Sequence, residues 1–264
     1  MNLIEQLIEA DCAWIKNKVE SLGFTDVVIG ISGGKDSTVV AGLCVKALGK
    51  EHVHGVMMPC GKQKDIADSR RIIKFLGIDW IETNIKPMVD AFTVAIEGLE
   101  SSAVAKTNLP ARVRMTTLMG IGQTNNWLVA NTCNLSEDFV GYATLWGDSC
   151  GSFAPVSKLT TEEIIAIGKE LGLPIDLVEK TPADGLQSKS DEDNLGFTYH
   201  EINKYIRLGE KGPNFDKIQK KYFANKFKTE IIQIPAFEPG FPSYTPGVAI
   251  QSQPDYALEP ILYK

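Results

Sequence analysis

Apolar residues recur at two different spacings over the first half of the chain. Between residues 3 and 19 they follow the helical repeat and define one apolar face: Ile4, Leu7, Ile8, Cys12, Ile15 and Val19. Residues 27–31 instead form a short continuous apolar run, which is typical of a strand buried on both faces. Similar short runs and helical segments continue to residue 130, and this predicts strands that alternate with helices.

The predicted elements have recognisable ends. Gly49 and Gly77 are predicted to end two helices, and Asn108 is predicted to cap a later helix with Pro110 in its first turn. After the first helix and strand, we predict helices over residues 39–48, 63–76, 87–99 and 108–119, and strands over residues 53–58, 80–85 and 127–130. This alternation predicts an α/β fold, a Rossmann-like twisted parallel sheet with helices on both faces.

The amino-acid composition of the chain changes near its C-terminal end. Six of its 13 prolines lie in the last 32 residues. We therefore expect residues 1–232 to form a single domain and residues 233–264 to form an irregular, proline-rich arm.

Composition excludes several classes of protein. The 27 Lys and Arg are outnumbered by 33 Asp and Glu, and a net charge of −6 argues against electrostatic binding of nucleic acid. No apolar stretch approaches the ~20 residues that span a bilayer, and the first residues lack the pattern of a secretory signal. Five cysteines without a C-x-x-C pair disfavour a disulfide framework or a structural zinc site. We expect a cytoplasmic protein that binds neither nucleic acid nor a membrane.

A glycine-rich segment lies between the first predicted strand and the next helix. It reads Gly30, Ile31, Ser32, Gly33, Gly34, Lys35, Asp36 and Ser37. Paired glycines let a ligand approach the backbone, and the free N–H groups of a helix start attract phosphate. The Walker A pattern fails because Lys35 precedes Asp36, and the Rossmann pattern fails because Ser32 stands where it requires its second glycine. An Asp beside bound polyphosphate requires a divalent cation between them.

Residues 32–37 resemble the pyrophosphate loop of the N-type ATP pyrophosphatases, which cleave ATP between its α and β phosphates and usually adenylate an acceptor. Within that superfamily the chain is similar to the NAD synthetases over residues 1–232. Residues 108–114 match the motif N-x-x-A-R-x-R, and residues 190–199 match S-D-E-x-x-L-G-x-x-Y. Further similar segments are residues 58–63, 131–137, 147–148 and 180–182.

The resemblance implies which residues bind the nucleotide. ATP is expected to contact residues 30–37, Met58 and Thr132, and Mg²⁺ is expected to lie between Asp36 and Glu137. The position of Glu137 agrees with this role, because it follows the fourth predicted strand and therefore reaches the same sheet edge as Asp36.

The acceptor side follows from the same resemblance. Asn108, Arg112 and Lys228 are expected to bind the acceptor, although Lys228 replaces only part of a His-Lys pair of the family. Arg112 and Arg114 diverge by about 200° on a helix, so only one of them can face a given ligand, and the motif match assigns Arg112. Asp148 is expected to orient or deprotonate ammonium and, with Asp36, forms the predicted catalytic pair.

The implied reaction amidates deamido-NAD with ammonia. ATP is converted to AMP and pyrophosphate through an adenylated nicotinate carboxylate. Glutamine-dependent relatives carry a further amidohydrolase domain, for which 264 residues leave no room, so we expect free ammonia to be the nitrogen donor. The resemblance also implies a homodimer with the dinucleotide site at its interface.

Four positions depart from the family pattern. Leu145 and Thr161 stand where relatives carry Lys, Ser152 where they carry Asp, and Ala183 where they carry Thr or Ser. Lost cationic contacts would weaken the binding of an anionic dinucleotide. Two alternatives therefore stay open: a ligase of the same superfamily that acts on a different carboxylate, and an inactive paralogue that binds nucleotide.

Overall fold

A four-stranded parallel sheet forms the centre of the molecule. The computed structural model describes residues 1–63, 65–180 and 190–241. The strands are hydrogen-bonded in the order β3-β2-β1-β4, and every pairing is parallel. They are β1 (Val27–Gly30), β2 (Val53–Met57), β3 (Asp79–Glu82) and β4 (Leu128–Val129).

Helices follow each of these strands. Within the described ranges they are α1 (Leu3–Ser21), α2 (Lys35–Leu48), α3 (Ile66–Leu76), α4 (Lys86–Ala95), α5 (Ala103–Asn125), α6 (Leu135–Val140), α7 (Thr161–Glu170), α8 (Ile175–Val178), α9 (Asp191–Leu195), α10 (Tyr199–Leu208), α11 (Phe215–Asn225) and α12 (Phe227–Ile231). None of them is long and apolar enough to cross a bilayer. The predicted alternation of strands and helices is confirmed up to β4.

The two faces of the sheet bury different cores. Val27 and Ile29 of β1 pack in the core that includes buried residues of α1, α2 and α7, whereas Val28 packs in a second core with residues of α5. Alternate residues of a strand point to opposite faces, so a strand covered on both faces is apolar throughout. The prediction of helices on both faces is confirmed.

The predicted start of the helix that carries the arginines is wrong. The helix α5 begins at Ala103 and is capped by Ser102, whose hydroxyl accepts a hydrogen bond from the Ala105 N–H at 3.2 Å. Asn108 therefore lies inside the helix, and so does Pro110. A proline there lacks one helical hydrogen bond, a cost that the packing of buried Pro110 and Val113 offsets.

A separate small core lies around α6, α9, α10 and α11. Its largest members are aromatic, and the Phe139 ring lies 5.9 Å from that of Tyr205. Arg207 of α10 joins this unit to α7 through a buried ion pair with Glu163, at 2.7 Å from its Nε and from its Nη2.

The first part of the proline-rich arm packs on the main core. Ala236 forms a parallel bridge with Ala154, and the ring of Phe237 lies 6.1 Å from that of Trp14. Residues 233–241 contain no helix or strand and pack against the domain. The prediction for residues 242–264 lies outside the described residues.

Candidate active site

The turn from β1 into α2 is shaped by a glycine and two serines. Gly33 has φ +81°, and a Cβ added there would lie 2.9 Å from the Ser69 backbone nitrogen, so a side chain does not fit. Ser37 Oγ accepts a hydrogen bond from the Ser32 N–H at 3.3 Å, and Ser32 Oγ accepts one from the Gly34 N–H at 3.1 Å. Since Gly34 caps α2 without a side-chain hydrogen bond, the first turn of this 14-residue helix is left to bind an anion.

Two of the predicted carboxylates meet at this edge of the sheet. Asn134, the cap of α6, donates from Nδ2 to Asp36 Oδ1 at 3.0 Å. Its own Oδ1 accepts from the Glu137 N–H at 3.0 Å. One amide side chain therefore ties the start of α6 to the start of α2, and it brings Asp36 and Glu137 into one acidic cluster.

Lys35 is a buried cation within that cluster. Its Nζ donates to Asp36 Oδ2 at 3.0 Å and lies 5.8 Å from the centroid of the Tyr199 ring. Burial by itself would lower the pKa of Lys35, but the charges of Asp36 and Glu137 outweigh it, and the pKa is raised. The ammonium group therefore stays charged.

The ionised form of Glu137 is destabilised relative to its protonated form. Its pKa is raised well above the ordinary value, first by burial and next by the negative charge of Asp36, while Lys35 opposes the shift. A divalent cation between Glu137 and Asp36 would remove this penalty on Glu137, and hard oxygen donors suit Mg²⁺. In the described ranges no group of three His, Cys, Asp or Glu side chains could hold a metal. The two carboxylates would suit Mg²⁺, and phosphate oxygens and water would have to supply its remaining ligands.

A second loop, residues 144–148, forms the predicted acceptor side. The Asp148 carboxylate accepts from the Thr144 N–H at 2.8 Å. Asn131, buried directly after β4, donates from Nδ2 to the backbone oxygens of Asp148 at 2.9 Å and Cys150 at 2.8 Å. Sequence reasoning placed position 131 only within a segment similar to the family, and it missed this anchoring role. An amide side chain immediately after a buried strand was the available signal.

The chemistry of Asp148 is tuned by its surroundings. The protein around it raises its pKa by desolvation, which the Thr144 N–H and the charge of Lys228 partly oppose, although the residue stays accessible to solvent. Lys228 Nζ donates to the backbone oxygens of Gly141 at 2.7 Å and Ala143 at 2.9 Å. Lys228 thus holds the chain that leads into the loop, and it is not aimed freely into solvent.

Arg112 and Arg114 of α5 each donate a hydrogen bond to a different loop. Arg112 Nε donates to the Leu145 oxygen at 3.2 Å, and Arg114 Nε donates to the Met58 oxygen at 3.0 Å. Asn108 Oδ1 accepts from the Thr144 hydroxyl at 3.2 Å. The two arginines diverge, as helix geometry predicted, and the helix links the loop after β2 to residues 144–148.

The remaining predicted positions fall at different depths. Met58 is buried, and its Cε lies 3.4 Å from where a Cβ on Gly30 would be, so it packs against the strand that enters the phosphate loop. Thr132 is half-buried in the segment between β4 and α6.

One of the four departures, Thr161, has a structural explanation; the contacts of Ser152 and Leu145 involve only backbone atoms, and nothing in the structure explains those two substitutions. Thr161 is buried and its hydroxyl accepts a hydrogen bond from Asn203 Nδ2 at 2.9 Å. A Lys at this position could not accept that hydrogen bond. Ser152 contributes a backbone hydrogen bond to the Val129 oxygen at 2.8 Å. Leu145 exposes its backbone oxygen to Arg112. Ala183 lies outside the described residues.

Comparison with known proteins agrees with these features. The family model described as NAD synthase matches residues 7–236. An NH(3)-dependent NAD(+) synthetase of Methanocaldococcus jannaschii is 36% identical over 83% of this chain and 86% of its own length. The solved NMN synthetase of Francisella tularensis superposes with a TM-score of 0.80 at 29% identity, covering 89% of this chain and 99% of that one. The NH3-dependent NAD synthetase of Campylobacter jejuni superposes with a TM-score of 0.72 at 30% identity, with the same coverage.

The range matched by the family model includes the sheet, the phosphate loop and residues 144–148. The matches confirm the resemblance that the motifs predicted. The chain belongs to the NAD synthase family.

Proposed function

We propose that this protein is an ammonia-dependent NAD synthetase, which converts deamido-NAD, ATP and ammonia to NAD, AMP and pyrophosphate. The observation that carries the proposal is the acidic cluster of Asp36 and Glu137 beside an uncapped helix start. Asn131, on the segment between β4 and α6, anchors the end of residues 144–148. The curated relatives named NH(3)-dependent NAD(+) synthetases support the choice of acceptor and nitrogen donor.

The phosphate loop would bind the triphosphate of ATP. The N–H groups at the start of α2 and the hydroxyls of Ser32 and Ser37 would contact its oxygens. Asp36 and Glu137 would hold Mg²⁺, which supplies charge neutralisation for the departing pyrophosphate. Lys35 keeps its positive charge near the same oxygens, so the leaving group meets two sources of positive charge.

The acceptor loop would carry out the amidation step. After adenylation of the nicotinate carboxylate, ammonia must attack its carbonyl carbon, and ammonium must lose a proton first. A carboxylate whose pKa is raised is a better base at neutral pH, and desolvation by the surrounding protein shifts the pKa of Asp148 in this direction. Thr144 fixes one Asp148 oxygen, which leaves the other to orient ammonium.

A second candidate is amidation of the mononucleotide instead of the dinucleotide. The NMN synthetase of Francisella tularensis superposes with the higher of the two TM-scores given above. Leu145 and Ser152 also lack the charges that relatives carry on the acceptor side. A smaller acceptor with fewer phosphates would require fewer such contacts.

A product assay tests both candidates. The protein is incubated with ATP, Mg²⁺ and ammonium, together with either deamido-NAD or nicotinate mononucleotide, and AMP, pyrophosphate and the amide are quantified. NAD formed in step with AMP supports the main proposal, and a higher kcat/KM for the mononucleotide supports the second. Formation of ADP, or no amide from either acceptor, would refute both.

The metal assignment has its own variant. Asp36→Asn keeps the shape of the side chain but removes its charge, so turnover should fall at least ~100-fold. Asp216→Asn, which changes an exposed residue of α11, is the matched control and should leave turnover unchanged. Near-normal activity of Asp36→Asn would contradict the metal role.

We also propose a homodimer in the cytoplasm. Several large apolar side chains are exposed on α4, on α5 and between them: Met88, Phe92, Val94, Ile96 and Val104. Such a patch is typical of an interface. The absence of disulfides among the five cysteines is consistent with a reducing compartment. Light scattering during gel filtration tests the dimer, and a monomeric mass would refute it.

A further inference from the structure

Trp146 is unfavourable in two respects: its large apolar side chain is exposed, and its backbone has a conformation that Trp rarely adopts. The residue is 56% exposed, so a large apolar surface stands in water. Its φ is +61°, a left-handed conformation that residues other than Gly, Asn and Asp rarely adopt. Stability alone would select Gly or Asn here, so the Trp requires another explanation.

The backbone on both sides of Trp146 is held against α5. The oxygen of Leu145 accepts the hydrogen bond from Arg112. At Gly147 a Cβ would lie 3.1 Å from the Ala111 Cβ, so the chain there already touches the helix. The loop therefore holds the left-handed backbone of Trp146 against α5.

The surroundings of this indole belong to the acceptor side of the site. Thr144 bonds to Asn108, and Asp148 follows two positions after Trp146. The nucleotide side, with the phosphate loop, lies on other elements, at the ends of β1 and β2.

We propose that Trp146 is a preorganised platform on which the pyridinium ring of the nicotinate acceptor stacks. This inference rests on the proposed function. The ring is planar and carries a positive charge on its alkylated nitrogen, and Trp has the best aromatic face for a cation. A backbone that is held in place before binding loses little entropy when the ring arrives, which accounts for the strained conformation at Trp146.

Tryptophan fluorescence tests the contact directly. The probes are deamido-NAD, nicotinate mononucleotide and N-methylnicotinate, which keeps only the pyridinium carboxylate. Each is titrated into the wild type, Trp146→Phe and Trp80→Phe. Trp80 on β3 is the matched control, because it is 55% exposed but lies beside Arg70 and Lys74, on another part of the sheet. Quenching should persist in Trp80→Phe and disappear in Trp146→Phe.

Kinetics and stability separate a platform from a structural role. Trp146→Leu removes the ring and should raise KM for the acceptor about tenfold or more, with KM for ATP unchanged, whereas Trp146→Phe should stay within about threefold of wild type. Trp146→Gly should show the same rise in KM, but its urea midpoint should equal or exceed that of the wild type, because glycine suits φ +61°.

Three outcomes would overturn the inference. Quenching that survives in Trp146→Phe places the ring elsewhere, and an unchanged acceptor KM in Trp146→Leu removes its energetic role. Dissociation of the oligomer in Trp146→Leu would mean that a second copy of the chain covers the indole. If any of these results is obtained while the wild type still forms NAD, only the stacking role of Trp146 is refuted. If the acceptor neither quenches the fluorescence of the wild type nor is converted to the amide, the proposed function is refuted as well.

Discussion

Replacing Asp11 by Asn should stabilise the protein, and the gain should grow as the pH rises. Asp11 lies on the inner face of α1 with no exposed surface, and both carboxyl oxygens are buried without a hydrogen-bond partner among the described residues. Burial raises its pKa well above the ordinary value. Burial likewise raises the pKa of the neighbouring Cys12 thiol to about 12 and that of Cys44 well above its ordinary value, so neither titrates near neutral pH.

The size of the effect follows from proton linkage. In the unfolded chain Asp11 releases its proton near pH 3.9, whereas in the folded chain it keeps the proton to higher pH. Between these two pKa values the folded state holds one more proton, so its free energy of unfolding falls by about 1.4 kcal/mol per pH unit. The amide introduced by Asp11→Asn has no proton to release, so the difference between variant and wild type should grow at this rate.

Urea unfolding at several pH values between about 5 and 7 measures this difference. At pH 5, about one unit above the pKa of Asp11 in the unfolded chain, the variant should already have gained about 1.5 kcal/mol over the wild type relative to pH values well below 3.9, and the gain should be larger at pH 7. Glu9→Gln is the control, because it removes an exposed carboxylate from the same helix, and its difference from wild type should stay small and flat. A stability difference for Asp11→Asn that does not change with pH would refute the reasoning.

Three further changes probe the site and its support. Gly33→Ala should reduce kcat/KM for ATP at least tenfold, because its Cβ would meet the backbone at 2.9 Å, whereas Gly61→Ala, with φ +76° and open space around it, should cost only stability. Arg207→Met leaves the buried carboxylate of Glu163 without its ion pair and should lower the free energy of unfolding by about 3–5 kcal/mol in urea titrations; a loss below about 1 kcal/mol would contradict this. Lys228→Met removes two hydrogen bonds to the chain before residue 144 and should raise KM for the acceptor without changing KM for ATP, as steady-state kinetics would show.

The fold class could be predicted because burial of a strand requires a simple pattern of apolar residues in the sequence. A parallel strand covered on both faces must be apolar at every position, and residues 27–30 are an example. The beginning of α5 could not be predicted in the same way. Ser102 and Asn108 are both good caps, and a proline after the latter favours a start there. Packing along the whole of α5 decides between them, and local sequence does not contain that information.

The candidate site was predictable in its phosphate half and less so elsewhere. Glycines with positive φ and an acidic residue at a helix start produce a recognisable pattern, so Gly33 and Asp36 were identified directly. The anchoring hydrogen bonds of Asn131 and Asn134 join residues up to 98 positions apart, and no spacing rule predicts such pairs. Arg112 and Arg114 were predictable in part: helix geometry predicts that their side chains point in different directions, but it does not predict which groups they bind.

The small aromatic core built around Phe139 and Tyr205 is joined to the rest of the molecule mainly through α7. Such a unit can open while the parallel sheet stays intact, because local cooperative units in proteins often coincide with separate cores. Glu137 lies on α6, inside this unit, whereas Asp36 lies outside it. Heating should therefore separate the two carboxylates before the sheet melts, so activity would disappear at a lower temperature than the bulk of the helical signal.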